Sequence, residues 1–147
     1  MIQITKKGKV ILAGAGPGDP DLISLKALKY LQTADVILTD RLVSPILIEQ
    51  YARKEAEVIY VGKQCSKGIW TPQSDINELI VEYALQGKLV LRLKGGDATL
   101  FSNVLDELQA VKKHEIPYEI IPGISAAFGA AAYTGIPLTA RGFSRGV

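Results

Sequence analysis

Five short apolar runs recur along the chain, separated by segments of helical periodicity: Lys9–Ala13, Asp35–Thr39, Val58–Val61, Leu89–Leu93 and Tyr118–Ile121. They are β-branched or aliphatic on both alternating faces, as strands covered by helices on both sides must be. The clearest helix is predicted over Pro72–Gln86, with Thr71 as its cap, Pro72 in its first turn and Gly87 just past its end. Its residues Ile76, Leu79, Ile80, Tyr83 and Ala84 fall at i, i+3, i+4, i+7 and i+8, with Asp75, Glu78 and Glu82 off that stripe. A second helix is predicted from Phe101 to about Lys113, buried through Val104, Leu105, Leu108 and Val111. A third runs from about Ser24 to Thr33, with Leu25, Leu28 and Leu31 facing inward. This alternation predicts an α/β fold, a mainly parallel five-stranded sheet flanked by helices with right-handed crossovers. Ligands of such sheets bind beyond the carboxyl ends of the strands. Here those ends carry "GAGPGD", "TDRL", "VGK", "KGGD" and "PGIS".

Bulk properties narrow the function classes. A chain of 147 residues, 48% hydrophobic, buries one sizeable core. Its 17 basic and 15 acidic residues leave a net charge of +2 with no basic block, so no nucleic-acid partner is expected. The single cysteine, Cys65, excludes an internal disulfide and fits a reducing compartment. The polar start "MIQITKKGKV" is no signal peptide, and no apolar run approaches the roughly 18 residues of a membrane span. A cytoplasmic protein without membrane contact is expected. After Ile121 the sequence "PGISAAFGAAAYTGIPLTARGFSRGV" predicts a small-residue helix to about Tyr133 and then a turn-rich end. The expected organisation is an N-terminal α/β domain over 1–122. A helix and linker over 123–147 then lead toward a second domain that this chain lacks.

The first glycine loop, "ILAGAGPGDPDL", raises the question of a dinucleotide. Gly14 and Gly16 match the G-x-G-x-x-G fingerprint, and Asp40 mimics the ribose-binding acid, but Asp19 stands where the third glycine belongs. Pro17 and Pro20 remove two backbone donors, and Asp19 and Asp21 add negative charge where a pyrophosphate would lie. The loop is therefore poorly suited to phosphate and compatible with a sulfonium such as S-adenosylmethionine, or it serves only as a tight turn. In the second glycine loop, "RLKGGDATLF", Gly95 and Gly96 permit a close backbone approach. Asp97 is placed there to cap the following helix.

Seven motifs in order, "GAGPGDPDLISLKAL", "ADVILTDRLVSP", "VGK", "PQSDIN", "RLKGGD", "PGISAA" and "GIPLT", resemble the tetrapyrrole methylases, in their uroporphyrinogen-III C-methyltransferase branch. The resemblance runs from about Lys9 to Thr139. It implies two α/β domains with S-adenosyl-L-methionine between them, of which this chain would be the first. It also implies methylation of uroporphyrinogen III to precorrin-2 for sirohaem and cobalamin, and a homodimer. Carried over motif by motif, the cofactor contacts fall on Pro17, Gly95, Gly96, Asp97, Leu100, Ser125 and Ala126. The catalytic acid/base falls on Asp40 and a catalytic lysine on Lys63. A carboxylate-rich substrate would pair with Arg41, Lys63 and Lys67.

The sequence departs from this family in "GGDATLFSNVLDE", where a proline, glycines and an arginine are expected, and in "ARGFSRGV" after "GIPLT". The chain alone is accordingly expected not to turn over substrate. Alternative expectations are a relative acting on another substrate, a non-catalytic fragment and, last, a nucleotide-binding oxidoreductase domain. His114, beside Lys112 and Lys113, suits a helix carboxyl end. Trp70, beside the expected cap at Thr71, is placed either to stack on a tetrapyrrole or to pack its loop as a staple at the helix start, Cys65 has no histidine partner, and no spacing suits a metal.

Overall fold

The computed structural model describes residues 6–64, 69–144 and 146. In chain order they form β1 (Lys9–Gly14), α1 (Leu25–Leu31), β2 (Val36–Thr39), α2 (Pro45–Tyr51), β3 (Glu57–Tyr60), β4 (Lys63–Gln64), β5 (Ile69–Trp70), α3 (Gln73–Leu85), β6 (Leu89–Lys94), α4 (Val104–Lys113), β7 (Tyr118–Ile121) and α5 (Ala126–Thr134). All five predicted strands are present. They pair in the order β3-β2-β6-β1-β7 with every neighbour parallel.

Period-two alternation splits the core between the two faces of the sheet. Val10, Leu12, Val36, Leu38 and Val90 pack against Ile76, Ile80 and Ala84 of α3 and Val104 and Val111 of α4. Ile11, Ala13, Ile37, Leu91 and Leu93 pack against Ala27 and Leu31 of α1 and Leu47 of α2. The first crossover from β1 reaches β2 by passing β6, and the last from β6 reaches β7 by passing β1. These opposed crossovers make the carboxyl ends of β1 and β6 the topological switch point of the sheet, the position at which such sheets bind ligands.

Several local expectations are corrected. Asp75 and Ile76 donate to the Pro72 carbonyl, so α3 is capped by Pro72 rather than Thr71, whose own N–H closes onto Gly62. Trp70 accordingly belongs to the β4–β5 hairpin, with its backbone paired to Lys63, and not to a helix start. Leu25, in the first turn of α1, is 77% exposed, and the inward stripe is Ala27 and Leu31. The second predicted helix begins at Val104 and not at Phe101, because residues 97–103 form a separate loop. Leu105 is exposed, since the inner stripe of α4 is Val104, Glu107, Leu108 and Val111. α5 ends at Thr134, close to the expected Tyr133, and is closed by a left-handed glycine, Gly135.

Candidate active site at the carboxyl edge of the sheet

The glycines at the ends of β1, β6 and β7 exist largely for one another. Beyond β1, Ala15 N–H donates to the Lys94 carbonyl at 2.7 Å, Gly16 N–H donates to the Gly96 carbonyl at 3.1 Å and Gly96 N–H donates back at 2.7 Å. A Cβ on Gly14 would lie 2.4 Å from the Gly96 oxygen, and one on Gly123 would lie 2.3 Å from it. The first glycine loop, the "KGGD" loop and the "PGIS" loop are thus joined backbone to backbone. Gly16 and Gly96 also hold φ of +86° and +66°, which side chains disfavour.

Asp97 fastens the same junction from its carboxylate. Its Oδ1 accepts from Thr99 N–H (2.8 Å), the Thr99 hydroxyl (2.6 Å) and Leu100 N–H (3.2 Å), while Oδ2 accepts from Gly123 N–H (2.9 Å). Burial alone would raise its pKa, but these hydrogen bonds outweigh it and hold the carboxyl below its ordinary value. Asp97 therefore does not cap α4, which starts seven residues later at Val104 with no side-chain cap bond. It closes its own turn and ties that turn to the end of β7.

Against this junction lies the loop after β2. A Cβ on Gly95 would meet the Leu42 Cβ at 2.6 Å, so the absence of a side chain there lets the "DRL" segment press onto "KGGD". Leu42 N–H donates to Asp40 Oδ1 at 3.0 Å, leaving Oδ2 free of that turn. The Asp40 side chain is partly exposed. Gly62, which precedes Lys63 on β4, also approaches: a Cβ there would lie 4.0 Å from Asp40 Cβ. Arg41 and Leu100 are exposed at the rim. Lys67 and Cys65 lie outside the described residues.

On the other side α5 backs the first loop. A Cβ on Gly129 would lie 2.7 Å from Pro17 Cβ and Cγ, so the proline ring is seated on the helix. The Tyr133 hydroxyl donates to Asp19 Oδ2, and this bond, with the Asp21 N–H on Oδ1, holds the Asp19 pKa low. Ser125 heads α5, and a Cβ on Gly96 would lie 3.7 Å from Ala126 N. Six of the seven residues carried over as cofactor contacts thus surround one junction, and Leu100 follows its outer turn. Beside it a cleft of about 400 Å³ is lined by Asp21–Ser24 and Pro122–Ile124. His114 caps α4 at the far end, accepting from Lys7 at 2.8 Å through its carbonyl. Among the described residues no cluster suits a metal ion.

One charged group at the site was missed at the level of sequence. Arg92, Lys94 and Glu107 are buried, Glu107 completely. Glu107 accepts from Arg92 Nε at 3.0 Å on Oε1 and from Lys94 Nζ at 2.7 Å on Oε2. Arg92 Nη1 donates to the Leu38 and Leu93 carbonyls, and Nη2 lies 3.9 Å from Asp40 Oδ2. Burial lowers the Lys94 pKa against the opposing pull of Glu107. The signal was present in "LVLRLK", where period two places Arg92 and Lys94 on the face of Val90, and in the helical stripe that Glu107 shares with Val104 and Val111.

These features describe an α/β domain with a parallel sheet whose glycine loops gather at its topological switch point. No described helix is long and apolar enough to cross a membrane. The chain belongs to the Tetrapyrrole (Corrin/Porphyrin) Methylases, whose family model matches residues 9–147. It is 50% identical over 145 residues to the siroheme synthase of Saccharophagus degradans, covering 99% of this chain and 31% of that protein. It resembles the crystal structure of uroporphyrin-III-C-methyltransferase from Thermus thermophilus with a TM-score of 0.81 and 39% identity, over 95% of this chain and 58% of that one. The Thermus enzyme complexed with S-adenosyl homocysteine matches with a TM-score of 0.75 and 37% identity, over 95% and 53% of the two chains. The chain therefore spans about a third of the curated relatives it matches and somewhat over half of the solved structures.

Proposed function

We propose that this chain forms one half of the active site of an S-adenosylmethionine-dependent C-methyltransferase that converts uroporphyrinogen III to precorrin-2. The observation that carries this reading is the seating of Leu42 on Gly95, which holds the candidate proton acceptor Asp40 against the candidate cofactor loop. The donor set fits the cofactor. Pro17 and Pro20 offer no N–H, Gly16 spends its own on Gly96, and Asp19 and Asp21 are acidic, so the first loop suits a sulfonium and repels a phosphate. Pro17, Gly95, Gly96, Asp97, Leu100, Ser125 and Ala126 would hold it. When bound, S-adenosylmethionine supplies an electrophilic methyl group for transfer to a pyrrole carbon. The protein's work is in-line positioning and then removal of a proton. Asp40 Oδ2 accepts the proton released when the substituted ring regains its conjugation. Lys63 serves as the second catalytic residue from the adjoining strand. Arg41 pairs with the substrate's carboxylates at the rim.

In this reading residues 1–122 act as the N-terminal domain and 123–147 as the helix and linker toward a second domain. The enzyme is a cytoplasmic homodimer, and the chain alone does not turn over substrate. Calorimetric titration of the chain with S-adenosylhomocysteine, with NADH as control, tests the half-site. Saturable binding of the former alone is the expected result. Tight binding of NADH, or of neither compound, would overturn the assignment of the cofactor loop to this chain.

A further inference from the structure

Three charged side chains occupy positions that packing alone would fill with aliphatic ones. Along β6 the face toward α3 and α4 reads Val90, Arg92, Lys94, passing from apolar to charged toward the carboxyl edge. Glu107 sits on the inner stripe of α4 between Val104 and Val111 and is fully buried. Buried ion pairs are weak sources of stability, because desolvation offsets most of the Coulombic gain and hydrophobic replacements are often neutral or better. This network also lies at the end of the core where both halves of the site converge. The two carboxylate oxygens of Glu107 serve different partners. Oε1 fixes Arg92, which two further bonds to the Leu38 and Leu93 carbonyls orient so that Nη2 faces Asp40. Oε2 fixes Lys94, the residue immediately before Gly95, whose carbonyl also holds Ala15 of the first loop. Gln73 of α3 approaches the same carboxylate at 3.5 Å.

We propose that Glu107 is a positioning residue: through Arg92 it sets Asp40, and through Lys94 it sets the root of the Gly95–Asp97 loop, so that one buried carboxylate holds proton acceptor and cofactor loop in a common register. The roles of Asp40 and of that loop rest on the function proposed above, but the mechanical link between them does not.

Amide hydrogen exchange and chemical shifts of the nitrogen-labelled chain read the link directly. Leu42 N–H reports Asp40, to which it donates, and Gly123 N–H reports Asp97. Glu107→Gln, which keeps the shape and removes the charge, is expected to move both resonances and to speed both exchange rates at least ten-fold. Ile11 and Leu91 in the middle of the sheet stay at their wild-type rates. Val111→Ala, a cavity on the same helix stripe, is the comparison for a merely structural loss and speeds exchange across the sheet as a whole. The proposal is overturned if Glu107→Gln follows the Val111→Ala pattern, or if either reporter amide is unmoved. Should Glu107→Gln fail to fold, Lys94→Met releases only one arm and is expected to move Gly123 more than Leu42, which feels the change only through its contact with Gly95. An equal change at both, or at neither, sinks the idea. Titration with S-adenosylhomocysteine separates the two levels, since absence of binding by the wild-type chain removes the cofactor reading and leaves the exchange pattern as the test of Glu107.

Discussion

Gly123→Ala tests the backbone junction on which the site stands. The added Cβ would lie 2.3 Å from the Gly96 oxygen and 2.8 Å from Gly14 Cα. The second distance is about 0.7 Å short of a carbon–carbon contact of roughly 3.5 Å. Both neighbours are backbone atoms of strand ends, so no side-chain rotation relieves the overlap, and overpacking of this kind costs about 1–3 kcal/mol. Relief by separation of the loops would weaken the paired Gly16–Gly96 hydrogen bonds, each worth about 1 kcal/mol. Against this, alanine restricts the unfolded chain and returns roughly 0.4–1 kcal/mol. The overlap outweighs the entropy, and a net loss of about 2–4 kcal/mol is expected. For a chain of this size that is a fall in melting temperature of about 4–16 °C. Thermal unfolding followed by circular dichroism measures it. The control is Gly146→Ala, where an added Cβ meets nothing within 4 Å and a change within about 0.5 kcal/mol is expected. A Gly123→Ala chain that melts within a degree or two of wild type would show that the three loops are not packed backbone to backbone.

Gly129→Ala separates stability from binding. The substitution improves helix propensity by about 1 kcal/mol but places a methyl 2.7 Å from the Pro17 ring. Melting temperature is expected to change little, while affinity for S-adenosylhomocysteine falls at least ten-fold by calorimetry. Asp97→Asn puts an amide that must turn either its NH₂ toward Gly123 N–H or its oxygen away from Thr99, and leaves a donor unpaired at a cost of about 1–3 kcal/mol. Because the folded-state pKa of Asp97 is lowered, the stability it contributes is complete above its unfolded value and lost as pH falls through the folded one. The gap between wild type and Asp97→Asn in urea titrations should therefore narrow in acid. Glu119 on the edge strand β7 binds Lys26 and Lys9 with the Tyr30 hydroxyl, and these bonds pull its pKa from 4.5 to about 2. Glu119→Gln should lower the melting temperature at neutral pH, with the difference shrinking as pH falls from 4.5 toward 2. A difference that grows in acid would contradict the ion cluster.

The sheet was legible in the sequence because both faces are covered, so each strand appears as a run of aliphatic residues and not as an alternation that loops could imitate. The motifs at the strand ends were legible for the same reason, since topology sends every parallel strand to one edge. Element ends were less so. Thr71 looks like a helix cap in isolation, yet the hairpin closing on Gly62 takes its N–H and passes the cap to Pro72. Asp97 and Val104 have the right composition for a cap and a helix, but Asp97 is drawn off by Gly123, 26 residues away. The purpose of the glycines was half-legible. Their freedom to approach closely was expected, but for a ligand, whereas Gly14, Gly96 and Gly123 approach each other and Gly95 approaches Leu42. Only distant contacts decide which backbone meets which, and local spacing does not carry them.

The placement of β6 explains why so much of the site depends on one strand. It lies between β2, which leads into Asp40, and β1, which opens into the first glycine loop, so its carboxyl end is within reach of both. Its two faces serve different needs. Leu91 and Leu93 continue the apolar layer against α1 and α2, while Arg92 and Lys94 turn the opposite layer ionic under α4. A slip of one residue in register would exchange the two sets, burying lysine and arginine against α1 and α2 and leaving Glu107 facing leucines. An aliphatic β6 would tolerate that slip at modest cost. The charged pair forbids it, because a desolvated cation without a partner costs more than a misplaced methyl group. The ionic end of the core thus specifies the alignment of β2, β6 and β1, and that alignment brings Asp40 to within 3.9 Å of Arg92 and Gly16 into its paired bonds with Gly96.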